Sequence, residues 1–565
     1  MTAPHFQAHY AHWPRRLPHR IEPAQTALPH NLMVSAQRYG AKTALAFLGA
    51  EFSYDMVLDK VERVATWLQS VGVAKGDRVI LCMQNCPQLV IAHFAVMRAN
   101  AVVVPVNPMN KAMELAHYIT DAQARVVFTT SDLVLEWDKA NASVPADERL
   151  AHVISTHFTD VFEPQNQGPH ALPEAWQSWI TARPDVRVSP GLALHQWAAV
   201  WTHERAPGPL LVRSTDLAVL PYTSGTTGFP KGCMHLHRSL MHNSQATTYW
   251  GNGTHQSVAL SAVPMFHITG MVSVMHSTIY MGGTLVIMPR WDRDLAARLI
   301  EHHRITHWTN IPTMVIDLLA SPRFAQYKLD SLVYIGGGGA AMPQAIAQRL
   351  LDMYGLVYAE GYGLTETAAP SHSNPTDAAK QQCLGMPFLS AQCRVVNPQT
   401  LEPLGVGEVG EILIHGPMVF EGYWRNPEAT AAAFVEVDGL RFFRSGDMGR
   451  IDEDGYYFIT DRLKRMINAS GFKVWPAEVE ALLFRHPAIQ EACIIAARDA
   501  YRGETVKAVV VLRSDHEGKV SEQDIIDWSR ANMAVYKAPT QVAFVQSLPK
   551  SGSGKVMWRH LQEAE

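Results

Sequence analysis

Residues 222–232 read Tyr222-Thr223-Ser224-Gly225-Thr226-Thr227-Gly228-Phe229-Pro230-Lys231-Gly232, directly after the apolar run Leu217–Pro221. A strand that runs into a loop of Gly and hydroxyl residues is suited to cradle an anion. Gly lets backbone N–H groups approach closely, and Thr223, Ser224, Thr226 and Thr227 add donors. Lys231 supplies a mobile positive charge. The string is not a GxxxxGK[ST] loop, because Pro230 precedes the Lys and Gly232 follows it. A shorter Gly-rich loop would read as a polar surface turn. The full string reads as a polyphosphate cradle.

The surrounding chain fits an ordinary folded protein. It has 565 residues, 47% hydrophobic and 18% charged, which excludes intrinsic disorder and implies about three or four folding units. Lys and Arg total 48 against 52 Asp and Glu, for a net charge of -4. That balance excludes a protein built to coat nucleic acid. The 6 Cys include no C-x2-C pair and form no disulfide scaffold. The His- and Pro-rich segment up to Pro29 lacks the apolar core of a secretory signal. The most apolar stretch, 89–106, is broken by His93, Arg98, Asn100 and Pro105, so no membrane span is expected. A reduced, cytoplasmic protein follows.

Strand-like and helix-like runs alternate through the first half. Residues 78–83, 102–104 and 125–129 read as buried strands, and 87–99 and 113–122 as helices. Such alternation predicts a parallel sheet covered by helices. Residues 163–209, rich in Pro, Gln, Gly and Trp, read as a long surface excursion. Between 400 and 457 short β-like runs are separated by Gly, Asn, Asp and Pro, with a hairpin at Asp454-Gly455. The last hundred or so residues read as a separate small α/β unit, with helices over 476–484 and 522–532 and strands over 489–496 and 507–512. A boundary at Asp461–Arg465 gives domains of 1–463 and 464–565.

The 222–232 string resembles the phosphate-binding signature of the adenylate-forming superfamily, which includes acyl-CoA synthetases, and the other signatures follow in order. Val263–His267 is similar to the aromatic-His segment beside the acyl carboxylate, which makes His267 a candidate. Ile335–Pro343 resembles the Gly-rich strand end near adenine, with Gly338, Gly339 and Ala340 as contacts; Gly337 stands where most relatives carry Ser. Tyr358–Glu366 resembles the next signature. Tyr362 and Gly363 would border adenine, Thr365 would meet phosphate, and Glu366 with Thr223 would hold Mg2+. Arg444–Asp447 resembles the ribose-binding segment, its Asp447 accepting both hydroxyls. Asp461–Lys464 falls at the family's hinge, with Arg462 on the nucleotide and Lys464 as pivot. Ser470, Gly471 and Phe472 would line the coenzyme A path, and Lys555 in 549–555 would be the catalytic lysine.

The resemblance implies an α/β fold of stacked sheets with a small β-barrel-like subdomain and a mobile α+β C-terminal domain. It implies an ATP-dependent ligase that forms acyl-AMP and passes the acyl group to coenzyme A. No carrier domain follows residue 565, which favours a stand-alone ligase. Residues 266–280, 309–314 and 336–339 are apolar and rich in small side chains. They predict a medium- or long-chain fatty acid, with an aryl or steroid-derived acid as the alternative and a non-catalytic binding homologue or an oxygen-using luciferase behind it. Peripheral membrane contact and a homodimer stay open. Cys233, His235 and His237 alternate as strand ligands would, but their place after Lys231 argues for a structural strand, and His302-His303 reads as a solvated helix end.

Overall fold

The computed structural model describes residues 4–223, 230–462, 465, 467–469, 472–474, 476–499, 503–533, 537–550 and 556–565. Ser224, Gly225, Thr226, Thr227, Gly228, Lys464, Ser470, Gly471 and Lys555 lie outside the described residues. Two compact units emerge. The larger holds His9–Gln392 and Ile414–Phe443; the smaller joins the N-terminal residues up to Ala8 with Cys393–Leu413 and Arg444–Glu565.

The larger unit is built on two sheets rich in parallel pairs. The nine-stranded sheet runs, in spatial order, Met386–Pro387, Ala369–Ser373, Tyr358–Leu364, Tyr334–Gly337, His307–Asn310, Val258–Ser261, Thr284–Ile287, Thr43–Phe47, Ala50–Ser53. Its inner pairs are parallel and its edges antiparallel. The seven-stranded sheet runs His235–Leu236, Leu217–Val219, Val102–Pro105, Arg78–Cys82, Val126–Thr130, His152–Thr156, Ala193–Gln196, parallel except at the first pair. Val102–Pro105 and Val126–Thr130 are buried at every residue, as strands covered on both faces must be.

The helix Pro87–Arg98 shares one core with strands of both sheets, which explains why all its residues are buried. Its Pro87 sits in the first turn, where no N–H partner is lost. The excursion between 163 and 209 has more structure than its composition predicts. It contains the helices Glu174–Thr181 and Trp197–Trp201 and the edge strand Ala193–Gln196. Trp176 and Ile180, one helical turn apart, and Trp197 and Val200 drive it into the core.

In the smaller unit Gly503–Leu512 pairs antiparallel with Ile489–Asp499 and parallel with Gln541–Phe544, while Ile467–Ala469 pairs with Phe472–Val474. The helices Pro476–Leu483 and Glu522–Asn532 pack apolar faces on it through Val479, Leu483 and Ile525. Ser521 and Asp524 cap the second helix reciprocally. Asp454-Gly455 is a hairpin turn, as the sequence predicts. Ile451 pairs with Tyr457, Gly455 adopts φ +81°, and Asp452 Oδ1 accepts from the N–H of Asp454 (3.1 Å) and Tyr456 (2.8 Å). Among the described residues no helix is long and apolar enough to cross a membrane, and all 6 cysteines are buried free thiols.

Candidate active site

The Ser/Thr/Gly loop leaves and rejoins the larger unit through its own ladder. Lys231 pairs with Thr223 and Gly232 with Tyr222 in antiparallel register. The two ends of the string are thereby fixed side by side. The Tyr222 hydroxyl donates to Asp121 Oδ2 at 2.5 Å, and His117 Nε2 donates to the Pro230 carbonyl at 2.8 Å. Burial, with the Asp121 carboxylate beside it, pushes the Tyr222 phenol far above its ordinary pKa, so it remains a donor.

Residues 420–424 lie along the strand that follows. Trp424 N–H donates to the Gly232 carbonyl (2.8 Å), Met234 N–H to Gly422 (2.9 Å), and Cys233 bridges to Tyr423. Tyr423 thus stands between the loop and the second candidate turn. The Lys231 ammonium lies 5.3 Å from the centre of its ring, and its hydroxyl donates to Glu366 Oε1 at 2.9 Å. Burial first, and the neighbouring Glu366 second, hold the Tyr423 phenol protonated. Glu366 is 8% exposed, so the orientation of its carboxylate is set inside the protein.

The Thr365–Glu366 turn is over-determined. His235 Nε2 donates to the Thr365 carbonyl at 2.7 Å, and Phe420 N–H donates to the Glu366 carbonyl at 2.9 Å. Burial drops the His235 pKa to about 4, so the ring is neutral near pH 7. Directly after Glu366 the chain adopts left-handed backbone at two non-Gly residues, Ala368 (φ +51°) and Ala369 (φ +76°). Such conformations cost about 1–3 kcal/mol each and persist only where the surroundings enforce them. Here the buried Asn243 does so: its amide lies 3.1, 2.9 and 3.1 Å from the carbonyls of Thr367, Ala368 and Pro370.

Tyr362 is nearly buried, its ring 5.6 Å from that of His372. The Gly-rich strand end is close-packed backbone. A Cβ at Gly337 would lie 1.8 Å from the Asn310 carbonyl oxygen, one at Gly338 2.2 Å from that of Gly361, and one at Gly363 1.9 Å from that of Ala369. Gly339 and Ala340 follow, both exposed, Gly339 at φ +85°. His267 is exposed in a turn clamped by the buried Asn85. The Asn85 side-chain amide donates to Val263 O (2.9 Å), and its Oδ1 accepts from Met265 N–H (2.7 Å). Gly270 approaches the Pro264 carbonyl so closely that a Cβ would lie 2.2 Å from it.

In the smaller unit Asp447 is buried, and its backbone pairs with that of Arg462 across the ladder. Only the backbones of Arg462 and Phe472 are described, in the strands Tyr457–Arg462 and Phe472–Val474. Arg444 donates to Glu411 Oε2, 3.0 Å through Nε; Ser445 Oγ accepts from the Asp447 N–H at 3.1 Å. Lys550 and Val556 form an isolated antiparallel bridge, and Lys550 Nζ lies 2.7 Å from Glu491.

Sequence reasoning named the loop, Glu366, Tyr362 and the glycines. It missed Tyr423, Asn243, His235 in this role, and Asn85. In the sequence His235 alternates with Cys233 and His237 as a strand ligand would. The structure makes it a donor to Thr365 instead, and the helix His237–Trp250 begins two residues later.

Residues 32–424 match the sequence profile of the AMP-binding enzyme family, and residues 478–555 that of the AMP-binding enzyme C-terminal domain. The chain is 33% identical over 563 residues to a long-chain-fatty-acid–CoA ligase of Bacillus subtilis (strain 168), covering 98% of this chain and 97% of that protein. A feruloyl-CoA synthase of Amycolatopsis sp. is 33% identical over 518 residues, 91% of this chain and 94% of that one. The crystal structure of ATP-bound MatB from Rhodopseudomonas palustris superposes with a TM-score of 0.82 at 28% identity, over 96% of this chain and 99% of that one.

Proposed function

Because the chain belongs to the AMP-binding, adenylate-forming enzyme family and is an AMP-forming acid–thiol ligase, we propose that its acid is a medium- or long-chain fatty acid, activated on ATP and passed to coenzyme A. In the first half-reaction the carboxylate attacks the α-phosphorus of ATP and pyrophosphate leaves; in the second, a thiol attacks the acyl adenylate and AMP leaves. The observation that carries the first step is the tie through Tyr423. One phenol side chain joins Lys231, at the foot of the Thr-rich loop, to the Glu366 carboxylate. A cation at the end of a hydroxyl-rich string, joined to an oriented carboxylate, suits a metal-bound polyphosphate.

The donors at hand, the Glu366 carboxylate and the Thr223 hydroxyl, are hard oxygens of the kind Mg2+ takes. In our reading they hold it, and the ion would offset phosphate charge. Lys231 and the hydroxyl loop bind the phosphates, Tyr362 covers adenine, Asp447 accepts from the ribose hydroxyls, and Arg462 touches the nucleotide. His267 borders the acyl carboxylate. Lys555 reaches the site in the first step, and Lys464 is the pivot about which residues 464–565 turn so that Ser470, Gly471 and Phe472 line the thiol's path. Free thiols at all 6 cysteines suit a reducing cytoplasm.

Similarity over nearly the whole chain to a fatty-acid ligase supports the fatty acid. A specific observation favours an oxygenated aryl acid as the second reading. A narrow cavity of ≈ 30 Å³ lies between the helices His237–Trp250 and Ser277–Met281, the π-helical segment Gly270–His276 and the strands Val258–Ser261, His307–Asn310 and Tyr334–Gly337. Leu260, Val274 and Met281 line it, but so do Thr247, Ser273 and Thr278, whose buried hydroxyl oxygens have no hydrogen-bond partner. The space admits only the tip of an acyl group: an alkyl end would leave the hydroxyls unpaired, at about 1–3 kcal/mol each, and a phenol or methoxy oxygen would satisfy some.

Thioester formation on octanoate, palmitate, benzoate and ferulate decides the acid. Failure on both fatty acids, with turnover of ferulate, retires the first reading. For the lysine, Lys555→Ala should cripple pyrophosphate release yet spare thioester formation from supplied acyl-AMP. Equal loss of both steps contradicts the two-stage scheme.

A further inference from the structure

Three histidines outside the candidate active site converge at one point of the larger unit. His170 lies in the turn after Gly168; His302 and His303 are the last residues of the helix Arg293–His303. One ring nitrogen from each lies within 4.8 Å of the other two. The rings meet edge to face or tilted, with centroids 4.8 Å apart for His170 and His302, 5.3 Å for His170 and His303, and 4.8 Å for His302 and His303. The helix end is solvated at His302, as the sequence predicts, but His303 and His302 also turn toward His170. His302 is exposed, His303 half-buried and His170 buried at 8% exposure.

Two further observations point to a ligand. His170 Nδ1 is buried with no hydrogen-bond partner. An imidazole nitrogen left so costs about 1–3 kcal/mol, and a metal bond would recover it. The cluster also sits where a helix presents its carbonyl end, which favours a cation. Two charged groups face the cluster. Glu51 on the neighbouring edge strand offers a carboxylate, and Arg298, one turn back on the helix, donates to the Ala171 carbonyl at 2.8 Å and steadies the His170 turn.

We propose that His170, His302 and His303 form a binding site for a divalent transition metal of the zinc type. Three imidazole nitrogens with an open fourth position match the tetrahedral preference of Zn2+. Bonds of 2.0–2.1 Å place ligand nitrogens roughly 3.4 Å apart, so the rings need draw in by no more than about 1.4 Å. The ion would staple the turn at 168–172 to the end of the helix Arg293–His303. It takes no part in adenylation, because none of its ligands belongs to the candidate active site.

The test uses the full chain without a polyhistidine tag, stripped with EDTA and titrated with Co2+ and then Zn2+. His5, His9, His12 and His19 crowd the N-terminal segment, so the readout is the difference between wild type and variants. The wild type should show one site with the visible d–d bands of tetrahedral Co2+, displaced by one equivalent of Zn2+, and a Zn2+-dependent rise in melting temperature. His302→Gln, an exposed substitution that leaves the fold intact, and the double variant His302→Gln/His303→Gln should weaken that site at least tenfold and abolish the rise. Thioester formation with Mg2+ supplied should stay within about twofold. Equal Co2+ stoichiometry and affinity in wild type and double variant, or no tetrahedral Co2+ spectrum in the wild type, overturns the proposal.

Discussion

Replacing Tyr423 by Phe removes one O–H and leaves the ring. Every other contact of that side chain survives: the Lys231 ammonium keeps its aromatic face at 5.3 Å, and Phe420 keeps its edge contact at 4.9 Å. What disappears is the 2.9 Å hydrogen bond to Glu366 Oε1. A hydrogen bond to a charged group is worth about 1.5–3 kcal/mol, and Glu366, nearly enclosed, has little water to replace it. If the bond holds the carboxylate in its working geometry, that whole amount falls on the adenylation step. It corresponds to a loss of roughly 10- to 150-fold in kcat/KM for ATP. Pyrophosphate release at saturating acid measures it, with a Mg2+ titration alongside, because a misaligned carboxylate should raise the Mg2+ needed for half-maximal rate. Thioester formation from supplied acyl-AMP, which needs no pyrophosphate departure, should change by less than about threefold. Near-wild-type pyrophosphate release would refute the argument. So would an equal loss in both half-reactions, which would mean that the phenol only supports the fold.

Gly337→Ser should destabilise this protein by about 3 kcal/mol or more, because the new Cβ would meet the Asn310 carbonyl oxygen at 1.8 Å; a lowered urea midpoint checks it. Asn243→Ala should cost about 2–4 kcal/mol of stability and at least tenfold in adenylation, since the strained backbone at Ala368 and Ala369 loses its anchor; denaturation and pyrophosphate release report the two effects. Burial pushes the Glu360 carboxyl up to about 7, against the two backbone N–H groups of Gln382 and Met342 that favour its charged form. A carboxyl whose folded pKa is raised favours the fold while protonated, so its contribution is present at pH 4.5 and lost as pH rises through 7. Unfolding free energy should therefore fall by roughly 2–3 kcal/mol more between pH 5 and 8 in the wild type than in Glu360→Gln. Parallel pH profiles would rule this out.

The elements legible in the sequence are those whose residues carry their own instructions. Val102–Pro105 is an unbroken apolar run and Val126–Thr130 an apolar and β-branched one, which a doubly covered strand can bury, and Pro87 opens its helix where a proline fits. Residues 163–209 misled because the helical signal there is short. Trp176 and Ile180 sit one turn apart, but Pro, Gln and Gly around them mask the period. The loop and the Tyr358–Glu366 string were legible because their residue types are local and ordered. Their supports were not. Tyr423 lies 57 residues from Glu366, and Asn243 lies 124 from Thr367. No spacing rule links a tyrosine or an asparagine to a partner so distant, and only the sheet order brings them together.

The same contrast explains why reaction class and substrate differ in legibility. Phosphate chemistry constrains a few groups tightly, so contiguous strings record it. The cavity proposed to meet the acid is assembled from two helices, one π-helical segment and three strands, and each contributes one to a few side chains. Thr247, Ser273 and Thr278 are unremarkable in their own segments. Their meaning arises only because three hydroxyls without partners border one narrow space. Each unpaired hydroxyl is worth about 1–3 kcal/mol in discrimination between an alkyl chain and a ring bearing polar groups. Two of them suffice to shift preference by more than tenfold. Thr278→Val, which removes one hydroxyl and keeps the volume, should therefore raise kcat/KM for palmitate relative to ferulate by roughly fivefold or more. A ratio unchanged from wild type would show that the hydroxyls of this cavity do not meet the acyl group.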